Sequence, residues 1–123
     1  MGAKRFLTAQ QYDILRRKQT EPAFSGKYCR FNRSGTYFCA ACGSPLFLSK
    51  HKFDCGRGWP SFNSSIPGSI KFLPDYRGGA EKTEVSCANC HSHLGHIFDE
   101  SLPLCETRYS INSLALEFRQ ETS

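Results

Sequence analysis

No apolar run in the sequence approaches the roughly 18 residues of a bilayer-spanning helix, so none is expected. The N-terminus, MGAKRF, is basic but has no apolar h-region and does not read as a secretory signal. Position six is Phe6 rather than Ser or Thr, which discounts myristoylation at Gly2. Low-complexity tracts are absent, and no basic stripe is present. The net charge of +5 is spread along the chain, and its longest basic cluster, Leu15 to Lys18, reads as a solvated helix face. A nucleic-acid binder would concentrate that charge on one face, interleaved with aromatics. The seven cysteines are an odd number, so they cannot all pair within the chain. With no secretion signal, metal binding or redox chemistry is expected before a disulfide framework.

What is present suits one compact domain over residues 1–123. Hydrophobic residues make up 39% and there are ten Phe, enough for a thin core that needs further support. Leu7-Thr8-Ala9-Gln10-Gln11-Tyr12 predicts a helix start: Thr8 is a natural N-cap, Gln11 completes a capping box, and Leu7 can staple onto Tyr12. That helix is expected to run to about Lys18 and stop at Thr20-Glu21-Pro22, with Ile14 and Leu15 facing the body. From Thr36 onward the pattern becomes short and β-rich: TYFCA, PLFLS, KFD, SIKFL, TEVSCA, HLGHIF and RYSINSLALEF, separated by CGSP, GRGWP and DYRGG. The expected fold is mainly β, with a short N-terminal helix.

Two C-x-x-C knuckles stand out, Cys39-Ala40-Ala41-Cys42 and Cys87-Ala88-Asn89-Cys90. Two thiolates of one turn reach a single ion at about 2.3 Å, and two such turns close a tetrahedron. Four sulfur ligands fill the shell, so structural Zn2+ is expected, joining segments distant in the chain. A redox C-x-x-C is the alternative. Cys29, Cys55 and Cys105 remain, each in a loop-like stretch without metal-ligand spacing. A lone cysteine is most often inert and buried, but three in one small chain favour redox work by at least one.

The other polar features lie late in the chain. The only tryptophan, Trp59, is flanked by Gly58 and Pro60 on a turn, which favours a ligand wall over the core. His93 and His96 are three apart; a strand would separate them unless Gly95 bends it. A His pair near Arg108 and Asn112 is an acid/base candidate.

Together these segments resemble the B-type methionine sulfoxide reductases, which reduce the R epimer of methionine sulfoxide. The resemblance runs from LTAQQY through TEPAFSG, CAAC, KFDCGRGWPSF, CANC, SHLGHIFDE and RYSINS. It implies two antiparallel sheets in a β-tent and, in many members, a four-cysteine zinc site. It implies a thiolate that attacks the sulfoxide sulfur, forms a sulfenic acid, and is resolved by a second cysteine to a disulfide that thioredoxin reduces. By the same resemblance Trp59 walls the substrate methyl group. His93 and His96 order water and protonate the sulfoxide oxygen, Arg108 lowers the nucleophile's pKa, and Asn112 supports the site. Phe62 and Glu100 are expected on the substrate side.

The departure falls on the centre, where the family has Cys and this chain has Ser110. An oxygen nucleophile cannot take up the oxidation, so the chain as written is expected to be inactive or nearly so. The resolving position two residues before Trp59 holds Arg57, leaving Cys29 as first choice, then Cys55 and Cys105. A cytoplasmic monomer, or a processed organellar form, is expected, acting on free or protein-bound sulfoxide. Competing readings are a natural zinc-stabilised module that binds sulfoxide or a partner without turnover, and a nucleic-acid-binding zinc protein, which the charge pattern disfavours.

Overall fold

A computed structural model of the chain describes residues 6–79, 82–99 and 107–121. Among the described residues, helix α1 (Ala9–Leu15) precedes nine strands: β1 (Gly35–Cys39), β2 (Pro45–Leu48), β3 (Lys52–Phe53), β4 (Ser61–Phe62), β5 (Ile70–Asp75), β6 (Lys82–Cys87), β7 (His93–Asp99), β8 (Thr107–Ile111) and β9 (Leu116–Gln120). They form two antiparallel sheets, one ordered β2-β1-β9 and the other β3-β4-β8-β7-β6-β5. The mainly-β architecture is as expected. No helix among the described residues is long and apolar enough to cross a membrane.

The capping box is present: Gln11 N–H donates to Thr8 Oγ1 at 3.0 Å, and Thr8 N–H to Gln11 Oε1 at 3.0 Å. Ile14 and Leu15 are buried, as the pattern predicts. The helix stops earlier than expected, at Leu15. Lys18 takes a left-handed φ of 60°, and Gln19 N–H folds back to Asp13 C=O at 3.0 Å, so the backbone leaves the helix before Pro22. Lys18 therefore does not join a solvated helix face; its ammonium lies 3.2 Å from Glu84.

RYSINSLALEF is not one strand. Its first half is β8 in the six-stranded sheet and its second half is β9 in the three-stranded sheet, divided by a 3-10 turn at Ser113–Ala115. Asn112 makes the break. Its backbone N–H and its Nδ2 both donate to Leu94 C=O at 2.9 Å, and its C=O accepts from Ala115 N–H at 3.0 Å.

The core fills the space between the sheets. Tyr37 of β1 and Phe47 of β2 meet Phe62 of β4; Phe47 stacks on Phe62 at 4.3 Å and 14°. Tyr28 and Phe31, from the loop after α1, close the end of this cluster against Phe118. Phe62 is 0% exposed. It is therefore core and not substrate wall, which corrects the expectation. The ladder gives the reason: Phe62 pairs with Tyr109, and Ser61 with Ser110, so alternation sends Phe62 inward and Ser110 to the opposite face.

Candidate functional site

The outer face of the six-stranded sheet carries a cleft of about 130 Å³ lined by Thr20, Trp59, Lys82, Gly95, His96, Phe98, Ser110 and Asn112. Four expected site residues are thus brought together: Trp59, His96, Ser110 and Asn112. Ser110 sits between two ladder partners, Ser61 on β4 and His96 on β7. Gly95 is required beside it: a Cβ there would lie 2.0 Å from the Ser110 carbonyl oxygen and 3.0 Å from Ile111 Cα.

His93 and His96 share a face despite their i,i+3 spacing. Gly95 pairs with Val85 but His93 pairs with Ser86, so Leu94 is an extra residue and the strand bulges there. The two rings meet edge to face at 5.4 Å. They differ in setting. His96 reaches the cleft, whereas His93 is 1% exposed behind it, and its Nε2 is buried with no hydrogen-bond partner among the described residues.

Each imidazole rests on a carboxylate that the sequence did not single out. His96 Nε2 is 2.8 Å from Asp75 Oδ2, and His93 Nδ1 is 2.8 Å from Glu84 Oε2. Arg77 grips Asp75 through Nε at 2.8 Å and Nη2 at 2.6 Å. Those hydrogen bonds, and next the one to His96, hold the Asp75 carboxyl well below the usual carboxylate range. Burial alone would push Glu84 up, but the hydrogen bonds and charges of His93 and Lys18 outweigh it and hold that carboxyl low. Burial pushes the His93 imidazole down, against the pull of Glu84. These carboxylates lie on β5 and β6, and only strand pairing places them beside β7.

Trp59 is positioned through the Glu21 peptide. Its indole Nε1–H donates to Glu21 C=O at 3.0 Å, and Glu21 N–H donates to Asn112 Oδ1 at 2.9 Å. The Glu21 side chain is buried as well and accepts from Leu114 N–H at 3.0 Å; burial raises its carboxyl pKa. Asn112 therefore anchors the loop that holds the tryptophan. Glu21 was readable only as part of the motif TEPAFSG, with no sign that its backbone bridges two site residues.

Arg108 projects from the same face of β8 as Ser110. It is 4% exposed, with its guanidinium 4.6 Å over the Phe98 ring. Cys29 is 7% exposed, and its thiol is pushed up by burial. It lines a separate cavity with Phe24, Lys27 and Arg30 rather than the cleft. Cys55 is disulfide-bonded, while Cys29 and the four knuckle cysteines are free. Glu100 and Cys105 lie outside the described residues.

The knuckles meet where the sheets converge. Cys39 ends β1 and Cys87 ends β6. The Sγ atoms lie 3.7 Å apart for Cys39 and Cys90 and 3.6 Å for Cys42 and Cys87, and all four fall within 4.8 Å of one another. A tetrahedral ion with sulfurs at about 2.3 Å requires separations of roughly 3.8 Å, so the cluster fits a metal ion. The turns are near copies. Gly43 N–H returns to Cys39 C=O and His91 N–H to Cys87 C=O, each at 2.8 Å, with φ of 81° and 64°. Ser44 and Ser92 hydroxyls each stand 3.1 Å from a sulfur, of Cys42 and Cys90 respectively.

A family model described as the SelR domain matches residues 7–120. The chain is 47% identical over 120 residues to the peptide methionine sulfoxide reductase MsrB of Leifsonia xyli subsp. xyli, covering 96% of this chain and 86% of that protein. It is 45% identical over 113 residues to the mitochondrial methionine-R-sulfoxide reductase B3 of Mus musculus, covering 91% of this chain and 45% of that one. Among solved structures, the Mis18 'Yippee-like' domain superposes with a TM-score of 0.59 at 15% identity, over 74% of this chain and 100% of that one, a likeness of fold alone.

Proposed function

The chain belongs to the SelR-domain family, the B-type methionine sulfoxide reductases, and on that premise we propose that its cleft binds methionine-R-sulfoxide while Ser110 deprives it of the reducing sulfur. The observation that carries this reading is the placement of Ser110: directly paired with His96, in one cleft with Trp59. Trp59 offers an apolar wall to the substrate methyl group. His96, backed by an ionised Asp75, is the proton donor nearest the sulfoxide oxygen. His93 and Glu84 stand behind it and fix the ring's approach.

With cysteine at position 110, the thiolate would attack the sulfoxide sulfur as the oxygen takes up a proton; methionine leaves and the thiol becomes a sulfenic acid. A second thiol would condense with it, releasing water, and a thioredoxin dithiol would reduce the resulting disulfide. Serine has no sulfur to oxidise, so the cycle stops at binding. Cys29 is our candidate for the second thiol. Its burial in a different cavity means that its loop, after α1, must move to bring sulfurs within bonding distance.

For the ion we assign Zn2+, supported by four thiol ligands at tetrahedral spacing. Cys39, Cys42, Cys87 and Cys90 would hold it, and it would clamp the two sheets together. With its shell filled by sulfur it takes no part in the reaction.

The test is the reductase rate on a peptide methionine-R-sulfoxide with a dithiol reductant, for this chain and its Ser110→Cys form, alongside calorimetric binding of the same peptide to the unsubstituted chain. Binding by the chain, with turnover only after Ser110→Cys, is the expected result. Turnover by the unsubstituted chain overturns the inactivity. Absence of turnover in both forms overturns the enzyme reading and leaves a zinc-stabilised binding module.

A further inference from the structure

Ser110 faces a histidine that is already oriented by a carboxylate. His96 and Ser110 are direct partners in the β7–β8 ladder. Residues opposite one another project from the same face with Cβ atoms roughly 4.5–5.5 Å apart, which leaves an imidazole and a hydroxyl within reach through side-chain rotation. Both side chains line the same cleft. His96 Nε2 lies 2.8 Å from Asp75 Oδ2, and Arg77 keeps Asp75 ionised, so Asp75 acts as an acceptor. Nε2 therefore donates to Asp75, and Nδ1 is the nitrogen left to meet the hydroxyl. The edge of the His93 ring, itself tied to Glu84, limits rotation of the His96 ring. Carboxylate, imidazole and hydroxyl in this order activate serine for acyl transfer on several unrelated folds.

We propose that Ser110, His96 and Asp75 form an acyl-transfer triad that hydrolyses small activated carboxylic esters in this cleft. The activity needs no sulfur and is independent of sulfoxide binding. Ser110 Oγ attacks the acyl carbon and a C–O bond forms, while its proton passes to His96 Nδ1 and the carbonyl electron pair moves to oxygen. As that pair returns, the bond to the leaving alkoxide breaks and His96 returns the proton to it. Water then cleaves the acyl-serine, with His96 again as base. The balance is ester plus water to acid plus alcohol, with no change of oxidation state. Ser110 and His96 are the catalytic residues, and Asp75 is a positioning residue. Lys82, exposed, is the cation among the residues that line the cleft and would face the developing oxyanion. A volume of about 130 Å³ corresponds to roughly four water molecules at about 30 Å³ each, which restricts the acyl part to about four heavy atoms against Trp59.

The metal-loaded full chain is treated with p-nitrophenyl acetate and, separately, with a fluorophosphonate probe. The expected result is a burst of about one p-nitrophenolate per chain and an adduct that peptide mass mapping places on Ser110. Ser110→Ala removes both, and His96→Asn slows acylation by roughly 10²-fold or more. Asp75→Asn lowers kcat with KM unchanged, a split that a general loosening of the fold does not produce. An adduct on a lysine or on another serine, or a Ser110→Ala rate equal to that of the chain, overturns the proposal. If Ser110→Ala loses its metal, the adduct position in the unsubstituted chain decides. Calorimetry with the sulfoxide peptide on the unsubstituted chain separates the two readings: an adduct on Ser110 without peptide binding sinks the sulfoxide reading alone, and peptide binding without an adduct on Ser110 sinks the triad alone.

Discussion

Phe62 separates a packing role from a binding role at a position three residues along the chain from Trp59 of the cleft wall. Its ring is 0% exposed, stacks on Phe47 at 4.3 Å and meets Tyr37 edge-on at 5.2 Å. Truncation to alanine removes those contacts and leaves a cavity between two sheets that cannot close on it, at a cost of about 3–5 kcal/mol. Unfolding entropy of roughly 2.1 cal/mol/K per residue gives about 0.26 kcal/mol/K for 123 residues. Phe62→Ala is therefore expected to lower Tm by roughly 12–19 °C. Phe62→Leu keeps most of the volume and should cost far less. Both variants, held well below their melting temperatures, should bind a methionine sulfoxide peptide like the parent, whereas Trp59→Ala should lose that binding with a small change in Tm. Scanning calorimetry and isothermal titration on the same samples give both quantities. A Phe62→Leu variant that keeps its Tm but loses the peptide would refute the assignment of this ring to the core.

Metal removal should unfold the chain rather than loosen it. Structural zinc contributes roughly 10–16 kcal/mol, as much as the whole stability of a domain this size; a chelator titration that left the circular dichroism intact would contradict the clamp. Stability should fall as the medium is acidified. The lowered pKa of buried His93 means the unfolded chain binds more protons below the ordinary value near 6.5, and the depressed Asp75 and Glu84 extend the loss as pH falls through the carboxylate range, while the raised Glu21 opposes them. The urea midpoint of His93→Gln should accordingly lose the slope between about pH 7 and 5.5, and an unchanged slope would remove His93 from the account. Gly95→Ala drives a methyl group into the β8 backbone at Ser110, so it should disturb sulfoxide binding as well as stability. Equal binding by both forms would show that β7 can shift without moving His96. Asn112→Ala should weaken binding and change the Trp59 emission, because the Glu21 peptide that holds the indole loses its anchor; an unaltered spectrum would break that link.

Features whose parts lie within one turn were legible in the sequence. The capping box at Thr8 and Gln11 joins residues three apart, and each C-x-x-C knuckle is complete within its own loop, so residue type and spacing sufficed. The motif sequence also pointed to Trp59, His96, Ser110 and Asn112, and the cleft brings all four together. Properties set by register and by the pairing of distant strands needed the tertiary structure. Whether Phe62 faces the core depends on which residue of β8 it opposes, and one step along the ladder would have reversed it. His93 and His96 converge because Leu94 is bulged, and the carboxylates behind them arrive from β5 and β6 through a six-stranded order that no local pattern encodes. The break at Asn112 follows from bonds to Leu94 and Glu21, far away in the chain, which outweigh the strand propensity of the run around it. The motifs along the chain were enough to single out candidate site residues; the hydrogen-bond ladder decided which of them face one another, which are buried behind, and which carboxylate each histidine holds.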